Sequence, residues 1–225
     1  PKQGGTLRIG IAAGNTNDTV DPAVAEHVFT HMLLHAYNAY LFEVLPDGSL
    51  LGELADSWEA SPDAAIWTIR LKDGLRFHDG RAVTAADVVA SLDYHRGEDS
   101  TSAAKSLLDP VTELRADGDT TVVIDPNAGN ADFPYILSDY HLPVRPATDG
   151  AMDPLGTVGA GPFVLQSFEP GVRATFTRNP DYFKPGLPHF DALELISIVD
   201  AAARQNALIS GQVDIIDRVD LPTVN

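Results

Sequence analysis

At 225 residues the chain has the length for one large domain or two small ones, with 44% apolar residues to build a core. Its 15 basic and 32 acidic residues leave a formal charge of −17, which argues against a nucleic-acid backbone or an anionic membrane surface as partner. Cysteine is absent, so disulfides, thiolate metal sites and a cysteine nucleophile are excluded.

In chain order, Leu7, Ile9 and Ile11 alternate with Arg8 and Gly10, the two-residue period of a half-buried strand. Residues 12–19 are small and polar and predict a loop. Asp21-Pro22 supplies an N-cap and a first helical position. The series Val24, Val28, Leu33, Tyr37, Tyr40, Leu41 and Val44 predicts a helix from 22 towards 44, closed by Pro46-Asp47-Gly48. Trp67, Ile69 and Leu71 alternate with polar neighbours and predict a strand. Asp73-Gly74 turns it, and Leu75 and Phe77 predict a second short strand that Asp79-Gly80 closes. Thr84, followed by Asp87 at the third helical position, predicts a capped helix with Val88, Val89 and Leu92 buried.

Further on, residues 111–114 and 120–124 predict a hairpin around Asp117-Gly118-Asp119. Residues 133–137 predict a helical turn, and 142–147 an extended, proline-rich stretch. Strands follow at 163–165, at 173–178 with Ala174 and Phe176 inward, and at 193–199. Asp200 caps a short helix that Gly211 stops, and 213–216 is a final strand. Trp58 and Trp67 read as core anchors. The sum is a mixed α+β chain of the α/β class.

Several runs act together. Leu54-Ala55-Asp56-Ser57-Trp58, the strand ending at Leu71, Phe77-His78-Asp79-Gly80 and Thr84-Ala85-Ala86-Asp87-Val88-Val89 form one block. The runs GAGPFVL at 159–165, RNPDYF at 178–183 and ALISGQVDI at 207–215 extend it, with Ala160 where threonine is usual. The block resembles the extracytoplasmic solute-binding proteins of peptide- and nickel-type ABC transporters, over essentially this whole chain but only about the first half of the family's length. The resemblance implies a periplasmic-binding-protein-like lobe built from residues 1–42 and 163–225, with an inserted α+β subdomain at 43–162. It also implies a second lobe missing from this chain, a removed export signal and an extracytoplasmic location. The implied function is binding without catalysis or a cofactor. A small solute, in the first place a short peptide, is held between two lobes for delivery to the transporter's permease subunits. Nickel complexes, opines and sugars are alternatives within the family. A truncated stand-alone interaction module, or a hydrolase with scattered carboxylates and histidines, are rivals outside it.

Candidate ligand contacts follow from chemistry and from that resemblance. Asn15, Thr16, Asn17 and Asp18 follow the first strand, where α/β folds place ligands. His27, His31 and His35 recur every four residues on the expected helix, and the resemblance brings His27 and His31 to the cleft as lining without metal. Asp139, Tyr140, His141 and Arg145 form a second polar group that the resemblance places near the cleft wall, with Arg145 suited to a ligand carboxylate. His78-Asp79 is no acid–base pair, because neighbours on a strand face opposite ways. Dinucleotide and nucleophile-elbow motifs are absent.

Overall fold

The computed structural model describes residues 2–219; the end of the expected first lobe, 220–225, lies outside them. Strand β1 (Thr6–Ile11) is followed by a 3-10 turn at Pro22–Val24 and helix α1 (Val28–Tyr37). The hairpin of β2 (Phe42–Val44) and β3 (Leu50–Gly52) leads to β4 (Ala55–Ala60), β5 (Trp67–Leu71) and α2 (Ala85–Asp93). Next come α3 (Lys105–Leu108), β6 (Val111–Asp117), β7 (Thr121–Pro126), α4 (Phe133–Ile136), β8 (Ala147–Thr148) and β9 (Ala151–Met152). The chain continues with β10 (Phe163–Glu169), β11 (Arg173–Arg178), β12 (Ala192–Ser197), α5 (Ala201–Ile209) and β13 (Ile215–Ile216). It divides into two compact units: Pro1–Val20, Ala25–Tyr37 and Gly161–Asn225 form unit 1, and Asp21–Val24 with Asn38–Ala160 form unit 2.

Unit 1 is built on a sheet of order β10-β11-β12-β1-β13. β1 lies parallel to both β12 and β13, whereas β10, β11 and β12 pair antiparallel. The alternation read in the sequence is the cause: Ala174, Phe176, Leu193, Leu195 and Ile11 all turn inward and are buried. Helix α1 buries Phe29, Leu33, Leu34 and Tyr37, spaced as one face of a helix requires. Asp200 caps α5 by accepting from the Ala203 N–H at 2.7 Å.

Unit 2 carries an antiparallel sheet of order β4-β5-β7-β6 with α2 packed on β6 and β7. Trp67, Ile69, Leu71, Val122 and Ile124 are buried, and α2 contributes Val88 and Leu92, while Val89 is half-buried. Trp58 is half-buried and meets the Phe42 ring edge-on, with centroids 5.0 Å apart. The cap at Thr84 is a full capping box. The Asp87 carboxylate accepts from the Thr84 N–H (2.8 Å), the Thr84 hydroxyl (2.7 Å) and the Ala147 N–H (2.8 Å). Asp87→Ala removes all of these from a buried position. The expected result is a loss of about 2 kcal/mol, read as a lower urea midpoint.

Two expected elements differ. The helix over 22–44 is a 3-10 turn, the shorter α1 and the strand β2, and both Val24 (45% exposed) and Val44 (49%) point to solvent. Pairing with distant segments takes the backbone out of the helix after Tyr37. Ala39 bridges to Val144, the Tyr40 carbonyl accepts from Leu54 N–H, and the Leu41 carbonyl from Glu53 and Ala55 N–H. Leu75 and Phe77 are buried as expected but form no strand; only Arg76 bridges, to Ala82.

Candidate functional site

The site in unit 1 begins at the carboxyl ends of β12, β1 and β13, which run in parallel and release their chains at one edge of the sheet. The loop after β1 is held there by main-chain and carboxylate bonds. Ile198 N–H donates to the Ile11 carbonyl (2.8 Å), and Ala12 N–H donates to Asp217 Oδ1 (2.6 Å). Arg204, from α5, is 3% exposed and stitches the same edge. Its guanidinium donates to the carbonyls of Ile198 (2.7 Å), Val199 (3.1 Å), Asp217 (3.1 Å) and Arg218 (3.1 Å).

Within that loop, Asn15, Thr16 and Asn17 are exposed and Asp18 is buried. Asp18 closes the turn, its Oδ2 accepting from Asn15 N–H at 2.9 Å. Its Oδ1 lies 2.7 Å from His27 Nε2, so the imidazole proton belongs on that nitrogen when the carboxylate is ionised. His27 itself precedes α1: its carbonyl accepts from the His31 N–H (3.0 Å) and the Thr30 hydroxyl (2.9 Å). The arrangement presents exposed hydroxyl and amide side chains on a turn whose buried carboxylate is anchored to the start of a helix. Such a surface can donate and accept hydrogen bonds with a polar solute.

Two glycines let this loop approach its neighbours. A Cβ on Gly14 (φ 151°) would lie 2.7 Å from Ser197 Cβ, and one on Gly171 (φ 73°) would lie 2.9 Å from the Asn15 carbonyl carbon. The second clash is with backbone, which cannot rotate away. Gly171→Ala is therefore expected to push Asn15 and Thr16 outward at a cost of about 1–3 kcal/mol, visible as altered amide shifts confined to 14–18.

Of the expected histidine row, His31 is half-buried and His35 is exposed, with His35 Nδ1 2.9 Å from the His31 carbonyl. Among the described residues no group of three His, Cys, Asp or Glu side chains is placed to hold a metal ion.

The remaining candidates belong to unit 2. His141 Nδ1 lies 2.7 Å from Asp139 Oδ1, which also accepts from the His141 N–H at 3.0 Å. Burial raises the Asp139 carboxyl, but the bonds from the His141 ring and backbone outweigh it and leave the group below its ordinary value. Tyr140 is half-buried, its ring centroid 4.0 Å from that of His141. Arg145 departs from its expected role. It is 1% exposed, donating from Nε to Asn38 Oδ1 (3.2 Å) and from a terminal nitrogen to the Pro154 carbonyl (2.9 Å). A guanidinium committed inward in this way braces unit 2 and is not a ligand contact. Asp79 is engaged by Arg81, through the backbone N–H at 3.1 Å and Nε at 2.7 Å.

Residues 49–225 match the family model described as "Bacterial extracellular solute-binding proteins, family 5 Middle". The chain belongs to this family. Family 5 relatives include the "Probable D,D-dipeptide-binding periplasmic protein DdpA" of Escherichia coli (strain K12), 31% identical over 224 residues covering 92% of this chain and 42% of the relative. The "Glutathione-binding protein GsiB" of Pectobacterium atrosepticum is 27% identical, over 90% of this chain and 40% of its own. Among solved structures, AgaA in complex with agropinic acid, from A. tumefacien R10, superposes with a TM-score of 0.88 at 32% identity, covering 96% of this chain and 44% of that one. The family 5 chain therefore has the mixed α/β fold of periplasmic binding proteins and spans about two fifths of the length of the curated relatives it matches. These relatives are solute-binding proteins and not enzymes. No helix among the described residues is long and apolar enough to cross a membrane.

Proposed function

We propose that this chain is part of the extracytoplasmic solute-binding component of an ABC importer, and that its solute is a short peptide. Residues 1–42 and 163–225 supply one ligand-binding lobe, residues 43–162 are the inserted subdomain, and the rest of the polypeptide supplies the opposing lobe. Closure of the two lobes sequesters the solute and presents it to the permease subunits. The observation that carries the reading is the 15–18 turn at the carboxyl ends of the parallel strands, anchored by the bond between the buried Asp18 carboxylate and His27. Extended peptides are held largely through backbone N–H and C=O groups. Asn15, Thr16 and Asn17 offer complementary donors and acceptors, and Asp18, His27 and His31 hold and flank the turn. Asp139, Tyr140 and His141 are proposed as further contacts contributed by unit 2. An opine is the second reading, favoured by the 32% identity to a protein solved with agropinic acid.

Purification of the full-length protein from its native host, followed by denaturation and mass spectrometry of the released solute, decides between them. Short peptides are expected in the released fraction. An opine would replace the peptide reading with the second one, and a nickel chelate or a sugar would overturn both.

A further inference from the structure

The end of α2 carries a buried imidazole that solute binding does not use. His95 is 0% exposed. Its Nδ1 lies 2.6 Å from the Ser102 hydroxyl, and its Nε2 is buried without a hydrogen-bond partner. Ser102 Oγ also accepts from Ala104 N–H at 3.1 Å, and the hydroxyl's own proton has Nδ1 as its acceptor in the tautomer that carries the ring proton on Nε2. In that tautomer a second proton enters at Nδ1. It reverses that bond, leaves the Ser102 hydroxyl without its acceptor and puts a charge where no solvent reaches.

The surroundings offer little compensation. The Tyr94 ring stands edge-on to the imidazole at 5.0 Å, and its hydroxyl donates to the Asp21 carboxylate at 2.9 Å. Burial disfavours the charged ring most; His141 and Arg145 act in the same sense and Asp139 opposes them, leaving His95 at about 4. On the adjoining loop, Arg96 is engaged by Asp93 and by the Val111 carbonyl, and Glu98 and Asp99 are exposed.

What this ring fastens gives it consequence. The loop it anchors through Ser102 also donates from Ala103 N–H to the Ala23 carbonyl at 2.9 Å. Asp21–Val24 is the stretch where the chain leaves unit 1 at Val20 before re-entering it at Ala25. It joins the Asp18 turn to His27.

We propose that His95 is an acid-released latch in unit 2: protonation breaks the bond that the Ser102 hydroxyl donates to the ring, frees loop 96–104 and undoes the Ala103–Ala23 bond that holds the 21–24 stretch. The direction follows from linkage. A histidine that the fold holds at about 4, against 6.5 in the open state, supports the closed latch fully above pH 6.5. That support is lost as the pH falls from 6.5 towards 4.

Hydrogen exchange of the full-length protein between pH 7 and pH 4.5, corrected for intrinsic rates, reads the latch directly. The Ala103 amide is expected to lose protection by a factor approaching ~10 per pH unit below about 6.5. His95→Asn, which keeps an acceptor near Nδ1 but cannot charge, is expected to abolish that pH dependence. Constant protection of Ala103 across this range, or an equal loss in the variant, overturns the proposal. Should the variant not fold, the wild-type imidazole resonances serve instead. A His95 ring that charges at its ordinary value while residues 100–104 stay unperturbed also overturns it.

Discussion

Arg145→Ala is expected to destabilise unit 2 by about 3–5 kcal/mol, the largest loss expected from any single truncation there. Two costs add. Removal of the guanidinium takes a partner from the Asn38 side-chain oxygen and the Pro154 carbonyl in a region where Arg145 is 1% exposed, and it leaves a hole the size of a fully buried arginine side chain. The backbone of Arg145 stays tied to Ser91, its N–H donating to Oγ at 3.0 Å, so the segment cannot simply collapse inward. Both tryptophans, Trp58 and Trp67, lie in unit 2, so their fluorescence reports its unfolding. The midpoint in urea should fall sharply for Arg145→Ala and less for Arg145→Met, which refills the volume but not the hydrogen bonds. Equal midpoints for wild type and both variants would show that the guanidinium braces nothing.

Arg204→Ala should act comparably in unit 1, by about 3–5 kcal/mol. Its donors reach the carbonyls of Ile198, Val199, Asp217 and Arg218, and its Nε also lies 3.7 Å from the Asp217 carboxylate. Without it, the half-buried Asp217 side chain loses its counter-charge while still gripping Ala12 N–H, so the first residues of the loop after β1 loosen as well. Arg204→Lys rescues only part of the loss, because a point ammonium cannot span carbonyls that a planar fork reaches together. Amide exchange at Ala12 and Ile198 checks the effect where it should be greatest.

Local signals wrote most of this fold legibly. The alternation at 6–11, 67–71 and 173–178, the Asp-Gly-Asp hairpin and the caps at Thr84 and Asp200 each act over a few residues, and each is present. The stretch 38–44 was not legible, because its apolar spacing suits a helix while its backbone is claimed by residues 50–55 and 144, far along the chain. Charged side chains misled in the same way. Arg145 reads as a partner for a ligand carboxylate, and only its bonds to Asn38 and Pro154 reveal a brace. Arg204 did leave a trace: with Ala207 it makes the i, i+3 row that α5 buries. The exposed polar turn at 15–17 could be read from composition. Its support could not, since Asp18 and His27 meet across nine intervening steps of chain whose path is set by the 21–24 stretch.

Titration calorimetry of the full-length, ligand-stripped protein with di- and tripeptides tests the central claim most directly. Saturable one-to-one binding is expected, weakened at least tenfold by Asp18→Ala, which frees the 15–18 turn from His27 and so removes roughly 1.4 kcal/mol or more of binding energy. No heat with any short peptide, alongside saturable binding of an opine or another solute, would contradict it.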